Sequence, residues 1–536
     1  MKNQSNPAIL RPGTTIGSID AENDDNFLFE CFVKKYDLDE LLDQNSPYSI
    51  ILGRTGSGKT AIVKYILSCK EKSQEIDLAD TFMNYIANSN IIKFLNDIGL
   101  DLSLLFQTLW KHILCVEYIK IKWNITQQQE NNNFLTRILN KFSKEKGKLE
   151  RIQNYLDMWG GDFWLETDEI VKNITQEYEN KFEAELGVDI AKKVKISGKY
   201  DNKLKEEKKV DIKNRVQKII SSDQLKCLQN LIDLLAKESN DQRCIYLLID
   251  KLDSNWVDIQ IRFKLIKALI DVLNKFRSIE DFKILVAIRE DVFEKTILET
   301  KDIDTQREKL ESICFQLRWE EHELKEIVNK RIALLYKRKY SKDFISYDNI
   351  FIDKVGQKKS FDYLISKTFM RPRDIISFVN ECLSISNGKT LISEKSIRIA
   401  ETLYIKKRIQ AIKEEWFSIY PELEEIIQLV QSFERNRLEI KDFIDKFDDA
   451  IITLASLSYE SYLINETKNY LNNISPLAPL LFTKHIIVCL FRVGLINVKN
   501  NNNYLHSNSN QGIISISEIN ENTSITLHPI LQQRQK

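Results

Sequence analysis

Residues Tyr48 to Thr60 read YSIILGRTGSGKT: an apolar β-prone run, a glycine-rich turn and the start of a helix. Gly53, Gly58, Lys59 and Thr60 satisfy the Walker A pattern G-x-x-x-x-G-K-[ST] in full, with Arg54, Thr55, Gly56 and Ser57 at the variable positions. The chemistry of that pattern is phosphate binding. Backbone N–H groups of the turn point inward, the following helix offers its positive end, the lysine reaches the β- and γ-phosphates, and the threonine hydroxyl ligates Mg²⁺. Gly56 and Ser57 add backbone freedom where the chain must wrap an anion. ATP and Mg²⁺ are therefore the expected cofactors. A glycine-rich hairpin with the same letters is the competing reading, and the apolar periodicity of Ala61 to Leu67 argues against it.

Length and composition bound the rest. At 536 residues the chain exceeds a single core, and with only 15 Gly and 8 Pro among long Leu/Ile/Lys/Glu stretches it reads as mainly helical. Lys plus Arg and Asp plus Glu both number 78, so no global field announces nucleic acid or an anionic surface. The eight cysteines stand singly with no C-x-x-C pair, which suits a reducing cytosol rather than zinc or disulfide work. No basic-then-apolar leader opens the chain, and Lys484, His485 and Arg492 interrupt its most apolar run, Leu477 to Val498. The expectation is a cytoplasmic protein with no membrane partner.

A second chemical block is Arg243 to Asp250, a continuous apolar run ending in a carboxylate. It reads as a Walker B strand buried on both faces, with Asp250 joining Thr60 as the Mg²⁺-holding pair. Lys251 occupies the position where an acid would orient the attacking water, so that role falls to Asp253 across a turn, or turnover is slow. Phe282 to Arg289 reads as the neighbouring strand, placing Arg289 where a sensor of the γ-phosphate would stand; a salt bridge with Glu290 or Asp291 is the alternative. The stretch Thr368 to Asp374 opens a helix with Pro372 in its first turn. Arg371 and Arg373 there invite a nucleotide phosphate, or else a local carboxylate such as Asp374.

The chain divides on this reading into four segments: a lead-in over 1–44, an NTPase core over 45–300 with a helical insertion at about 91–240, a helical lid over 301–405, and a C-terminal domain over 406–536. The fold class expected is an α/β P-loop NTPase core, a parallel sheet flanked by helices. Ile76 to Asp80 is read as its second strand. Asn26 to Val33 supplies an apolar helix face suited to a base pocket or to plain core packing. Helices over Glu414 to Phe433 and Ile440 to Leu457, an Asn-rich turn, and short strands at Gly512 to Ser517 and Ser524 to Leu527 suggest a winged helix. Residues 192–218 carry a net charge of +7, either a solvated face on the insertion or a contact for nucleic acid.

The blocks Gly53 to Thr60, Leu247 to Trp256, Val286 to Arg289, Leu317 to Trp319 and Arg371 to Asp374 resemble, in their order, bacterial P-loop ATPases of the STAND and KAP kind, near AAA+. The likeness is narrowed by Asp-x-Leu-Asp-x-x-Trp at Asp250 to Trp256, by Ala21–Glu22 and Phe32–Val33, and by His528–Pro529. That resemblance implies an ATP-dependent switch in phage defence, working with a protein effector or by self-oligomerisation. Arg307 or Arg318 would then be the candidate trans arginine. KAP members often carry transmembrane helices and STAND members a fused sensor or effector, neither of which the sequence displays. Two rivals stand beside the switch: a DNA loader or regulator in which ATP controls a winged helix, and a nucleotide-bound scaffold with negligible turnover.

Overall fold

The computed structural model describes residues 9–35, 37–78, 101–124, 146–159, 223–236, 243–254, 256–257, 259–300, 307–339, 344–433, 435–474, 476–500, 503–506 and 514–532. The basic 192–218 segment and much of the proposed insertion lie outside them.

Five parallel strands form the main sheet: β1 (Ile50–Gly53), β2 (Ser73–Glu75), β3 (Ile245–Ile249), β4 (Phe282–Arg289) and β5 (Cys314–Gln316), in the order β2-β3-β4-β1-β5. Both faces are covered, which is why β3 and β4 read as unbroken apolar runs. Period-two geometry still sorts their side chains. Ile245, Leu247 and Ile249 join the core under the helices Ser103–Trp123 and Ile259–Phe276, whereas Tyr246 and Leu248 face the helices Leu38–Leu42 and Lys59–Cys69. Polar ties fix the first of these layers: Trp110 Nε1 donates to the Leu265 carbonyl at 2.9 Å, and Tyr118 and Lys122 both donate to the buried Asp281 carboxylate at 2.7 Å. The second strand lies at Ser73–Glu75, ahead of the expected Ile76 to Asp80, of which Ala79 and Asp80 lie outside the described residues. Its register on Tyr246 to Leu248 is fixed by backbone pairing, and Ile76 and Leu78 instead bury their side chains beyond the strand end.

A separate helical core is built from Glu321–Lys339, Pro372–Ile385 and Glu394–Trp416, and Leu10, Ile16 and Val33 of the lead-in pack into it. Only Asp25–Leu28 of the expected lead-in helix is helical, the chain passing into a turn over 29–31, and side chains from this core tie the segment down on either side. Arg331 pairs with Asp24 at 2.5 Å and donates to the Ile16 carbonyl at 2.9 Å; Lys35 pairs with Glu323 at 2.9 Å. Both pairs are buried. Removing one partner strands a charge, so Arg331→Ala is expected to cost about 3–5 kcal/mol in urea denaturation and to free the lead-in to proteolysis. The division placed at 405/406 falls inside the continuous helix Glu394–Trp416, which carries the chain from this core toward the next.

The C-terminal unit runs in the order helix Leu423–Gln431, strand β8 (Arg437–Glu439), four helices ending with Pro479–Val493, then β9 (Ile496–Asn500), β10 (Asn503–Leu505) and β11 (Ser524–Leu527); β6 (Lys354–Val355) and β7 (Lys358–Lys359) form a small hairpin earlier in the chain. The sheet is antiparallel, ordered β10-β9-β11-β8. Of the expected strand at Gly512 to Ser517, Gly512 and Ile513 lie outside the described residues, and Ile516–Glu518 is a 3-10 turn instead. There Ser515 and Glu518 form a reciprocal capping box, which satisfies locally the backbone groups a strand would pair. The strand instead falls in the Asn-rich stretch, where Asn503–Leu505 pairs with Val498–Asn500. The expected Ile440 to Leu457 helix divides into Ile440–Ile444 and Phe447–Ala455.

His528 joins this unit to the helical core. Its Nε2 donates to the Thr368 carbonyl at 3.1 Å, its Nδ1 accepts from the Ile530 amide at 3.2 Å, and its ring stacks on Phe369 at 4.5 Å. Burial pushes its pKa down from 6.5 to about 4. The unfolded chain therefore takes up the proton first, and the contribution, present above about pH 6.5, is lost as pH falls toward 4. About 3 kcal/mol of stability is expected to disappear over that window, and less than half of it in His528→Gln, measured by denaturation at stepped pH.

Candidate functional site

β1 delivers Gly53 to the C-terminal edge of the sheet, and the chain turns through Arg54 to Gly58 into the helix Lys59–Cys69. Gly56 and Gly58 sit at φ +76° and +101°, left-handed backbone that a Cβ would strain. A Cβ on Gly56 would also meet the stem of Arg373 at 2.5 Å. Lys59 folds back over the turn, its Nζ donating to the carbonyls of Gly53 at 2.9 Å and Arg54 at 3.1 Å. Burial lowers its pKa, with Asp250 pulling the other way. Thr60 Oγ1 donates to Asp250 Oδ2 at 2.7 Å. These two residues come from the ends of different elements, and β4 lies between β1 and β3. Asp250 also accepts from the Lys251 amide at 2.8 Å; burial raises its carboxyl pKa and these two bonds oppose the rise.

Lys251 itself adopts φ +60° with an exposed side chain, and the turn it opens carries Asp253 to Arg289. Arg289 Nη1 donates to Asp253 Oδ2 at 2.9 Å while Nε and Nη2 grip both oxygens of Asp291 at 2.9 and 2.7 Å. Burial would lower its pKa, but Asp291 and Asp253 raise it. The salt-bridge alternative for Arg289 is thus realised, with Asp291 as partner. Glu290 faces elsewhere, toward Arg54 at 3.3 Å and Arg318 at 3.4 Å, so Arg318 is engaged within its own chain. Arg307 begins the helix Arg307–Glu311.

The two arginines at the start of Pro372–Ile385 part company. Arg371 Nη1 donates to the Thr55 carbonyl at 2.8 Å, and its Nε pairs with Asp374 at 3.1 Å. The Arg373 amide donates to the Gly56 carbonyl at 3.3 Å, but its guanidinium reaches the lead-in, pairing with Asp20 at 2.5 Å. Of the two partners expected for these cations, phosphate or carboxylate, the carboxylate is the one seen here. A carboxylate three residues along satisfies the first arginine, and one in the lead-in satisfies the second. Asp374 is buried, which would raise its pKa, yet Arg371 and Arg408 hold it below the usual carboxylate range.

Trp319, which ends the block Leu317 to Trp319 but is assigned no role by the sequence, donates from Nε1 to the Ser57 carbonyl at 2.6 Å from just past β5, at the C-terminal end of a parallel strand. Glu415 and Arg408 lie on a long helix of low periodic contrast, with nothing local to distinguish them. Arg54 turns away from the loop interior, donating from Nη2 to the carbonyl of Arg492. Among the described residues, the buried Arg54 Nη1, Thr55 Oγ1 and Ser57 Oγ have no hydrogen-bond partner. No group of three or more His, Cys, Asp or Glu converges to hold a metal among the described residues, and no helix there is long and apolar enough to cross a membrane.

Residues 322–413 match the FunZ-associated C-terminal helical domain. The chain is similar to the putative transposon gamma-delta 80.3 kDa protein of Escherichia coli (strain K12), at 22% identity over 540 residues covering 97% of this chain and 67% of that protein. No solved structure matches it significantly.

Proposed function

We propose that this chain is a nucleotide-dependent switch of the P-loop class, resembling the STAND and KAP ATPases, which binds ATP with Mg²⁺ at Gly53 to Thr60 and hydrolyses it slowly. The observation that carries the reading is the 2.7 Å bond between Thr60 and Asp250 beneath a glycine turn closed by Lys59. A hydroxyl and one carboxylate are the hard oxygen donors a small divalent ion takes from protein when phosphates and water supply the remainder. Thr60 and Asp250 would hold that ion. When bound it neutralises charge on the transferred phosphoryl group. The orphaned Ser57 hydroxyl and Thr55 hydroxyl at the same turn fit an anion as their missing partner.

A narrow apolar cleft opens beside Gly58 and Ala61, walled by Leu28, Phe32, Val33 and Ile376 between lead-in, glycine turn and helical lid, and on this reading the base would enter there. Slow turnover follows from Lys251, an exposed cation in the position of a catalytic acid, which leaves Asp253 as the carboxylate available to orient water. The output passes to a separate effector protein or to a second copy of the chain, in a role such as defence against phage.

A second reading, ATP-controlled DNA binding, is favoured by the order helix, β8, helices, hairpin and β11, which supports a winged helix, and by a relative whose printed name associates it with a transposon. Steady-state ATPase measured alone, with single- and double-stranded DNA, and with lysate of phage-infected cells separates the two. The switch reading expects a low basal rate unmoved by DNA. Stimulation by DNA that fades steeply with salt would transfer preference to the second reading.

A further inference from the structure

The helix Glu394–Trp416 ends by placing a carboxylate on the rim of the glycine turn. Glu415 Oε1 accepts from the Thr55 amide at 3.4 Å, and Oε2 accepts from Arg408 Nη2 at 3.2 Å and stands 3.7 Å from Arg371 Nη1. Its main-chain carbonyl accepts from Arg289 Nη2 at 3.1 Å. Burial of this group favours its neutral form, but Arg371, Arg408, Arg54 and Arg289 outweigh that and keep it ionised. A backbone N–H of an anion-binding turn together with two guanidinium groups is the donor set that a phosphoryl oxygen takes.

The other acids near these arginines are local to them. Asp291 lies two residues from Arg289 and Asp374 three from Arg371, and Glu290 and Asp253 also come from the sheet's own strand ends. Glu415 alone among these five reaches the turn from the helix that leads into the C-terminal unit. Without it Arg371 and Arg408 share only Asp374, which lies 3.5 Å from Arg408 Nη1. The next residue, Trp416, is buried in the C-terminal core, and its ring lies 6.0 Å from the Arg54 guanidinium. Arg54 in turn is bonded to the Arg492 carbonyl against Gly494, whose φ of +90° and missing Cβ make room for it.

We propose that Glu415 stands in for the terminal phosphoryl group of a nucleoside triphosphate, so that triphosphate and the C-terminal unit compete for Arg371, Arg408 and the Thr55 amide. This rests on nucleotide binding at the glycine turn and adds its regulation. A triphosphate displaces Glu415 and loosens the contact of Trp416 and Arg492 with Arg54. A diphosphate, one phosphoryl group shorter, leaves that contact in place. Arg408 thereby acquires a role in recognising the third phosphate.

The test titrates the full chain and Glu415→Gln with ATPγS and with ADP, both with Mg²⁺. The substitution keeps the side chain's size and removes its charge. It is expected to tighten ATPγS binding about tenfold, or about 1.4 kcal/mol, and ADP binding by less than about twofold. An unchanged ratio of the two affinities overturns the inference while leaving the nucleotide reading intact; a wild-type chain that binds neither nucleotide overturns both. Should Glu415→Gln fail to fold, hydrogen exchange on the wild-type chain decides. Amides of residues 415–420 and 490–495 are expected to exchange faster with ATPγS than with ADP, and equal exchange rejects the competition.

Discussion

Lys59→Ala is expected to weaken ATP binding at least 100-fold, close to abolition in an ordinary titration. Lys59 Nζ is buried at the turn and spends its donors on the Gly53 and Arg54 carbonyls, 2.9 and 3.1 Å away. A phosphate brought to the same turn exchanges those neutral acceptors for a charged one, and hydrogen bonds between charged partners are roughly twice as strong. Truncating one partner of such a buried pair costs about 2–5 kcal/mol, of which about 2.7 corresponds to the 100-fold expected. The same substitution leaves two carbonyls short of a donor, so melting should be followed in parallel. Loss of binding in a chain that still unfolds cooperatively assigns the effect to the site.

Asp253→Asn is the second large effect, with a different signature. Hydrolysis should fall about 100-fold, the lower end of what a positioned general base contributes, while ATP binding stays within about threefold of wild type. Asp253 touches neither the glycine turn nor Thr60 in the structure; its carboxylate meets Arg289 at 2.9 Å. The carboxamide that replaces it can still accept from Arg289, so the turn after β3 should persist. An unaltered rate in Asp253→Asn would place the water-orienting role elsewhere and leave Lys251 as the reason for slow turnover.

The parts that were legible in the sequence share a physical cause. β3 and β4 stand where their unbroken apolar runs put them, because a strand buried on both faces has little choice of residue. Thr60 and Asp250 are 190 residues apart, yet each belongs to a short pattern whose chemistry predicts the other. Where the reading slipped, long-range partners decided. The lead-in helix is short where Arg331 and Glu323, about three hundred residues away, hold Asp24 and Lys35. Arg371 and Arg373 share a helix start but take unrelated carboxylates, which spacing alone cannot distinguish. Glu415 illustrates the limit most clearly. It lies on a helix of low periodic contrast, and its significance comes entirely from the arginines that three other segments and its own helix bring to it.

Isothermal titration of the full chain with ATP, in Mg²⁺ and then in EDTA, with Lys59→Ala alongside, bears most directly on nucleotide binding at Gly53 to Thr60. Saturable binding is expected in Mg²⁺, weakened about tenfold or more by EDTA if Thr60 and Asp250 hold the ion as proposed, and lost in Lys59→Ala. Absence of binding to the folded wild-type chain, or equal binding by Lys59→Ala, would contradict it.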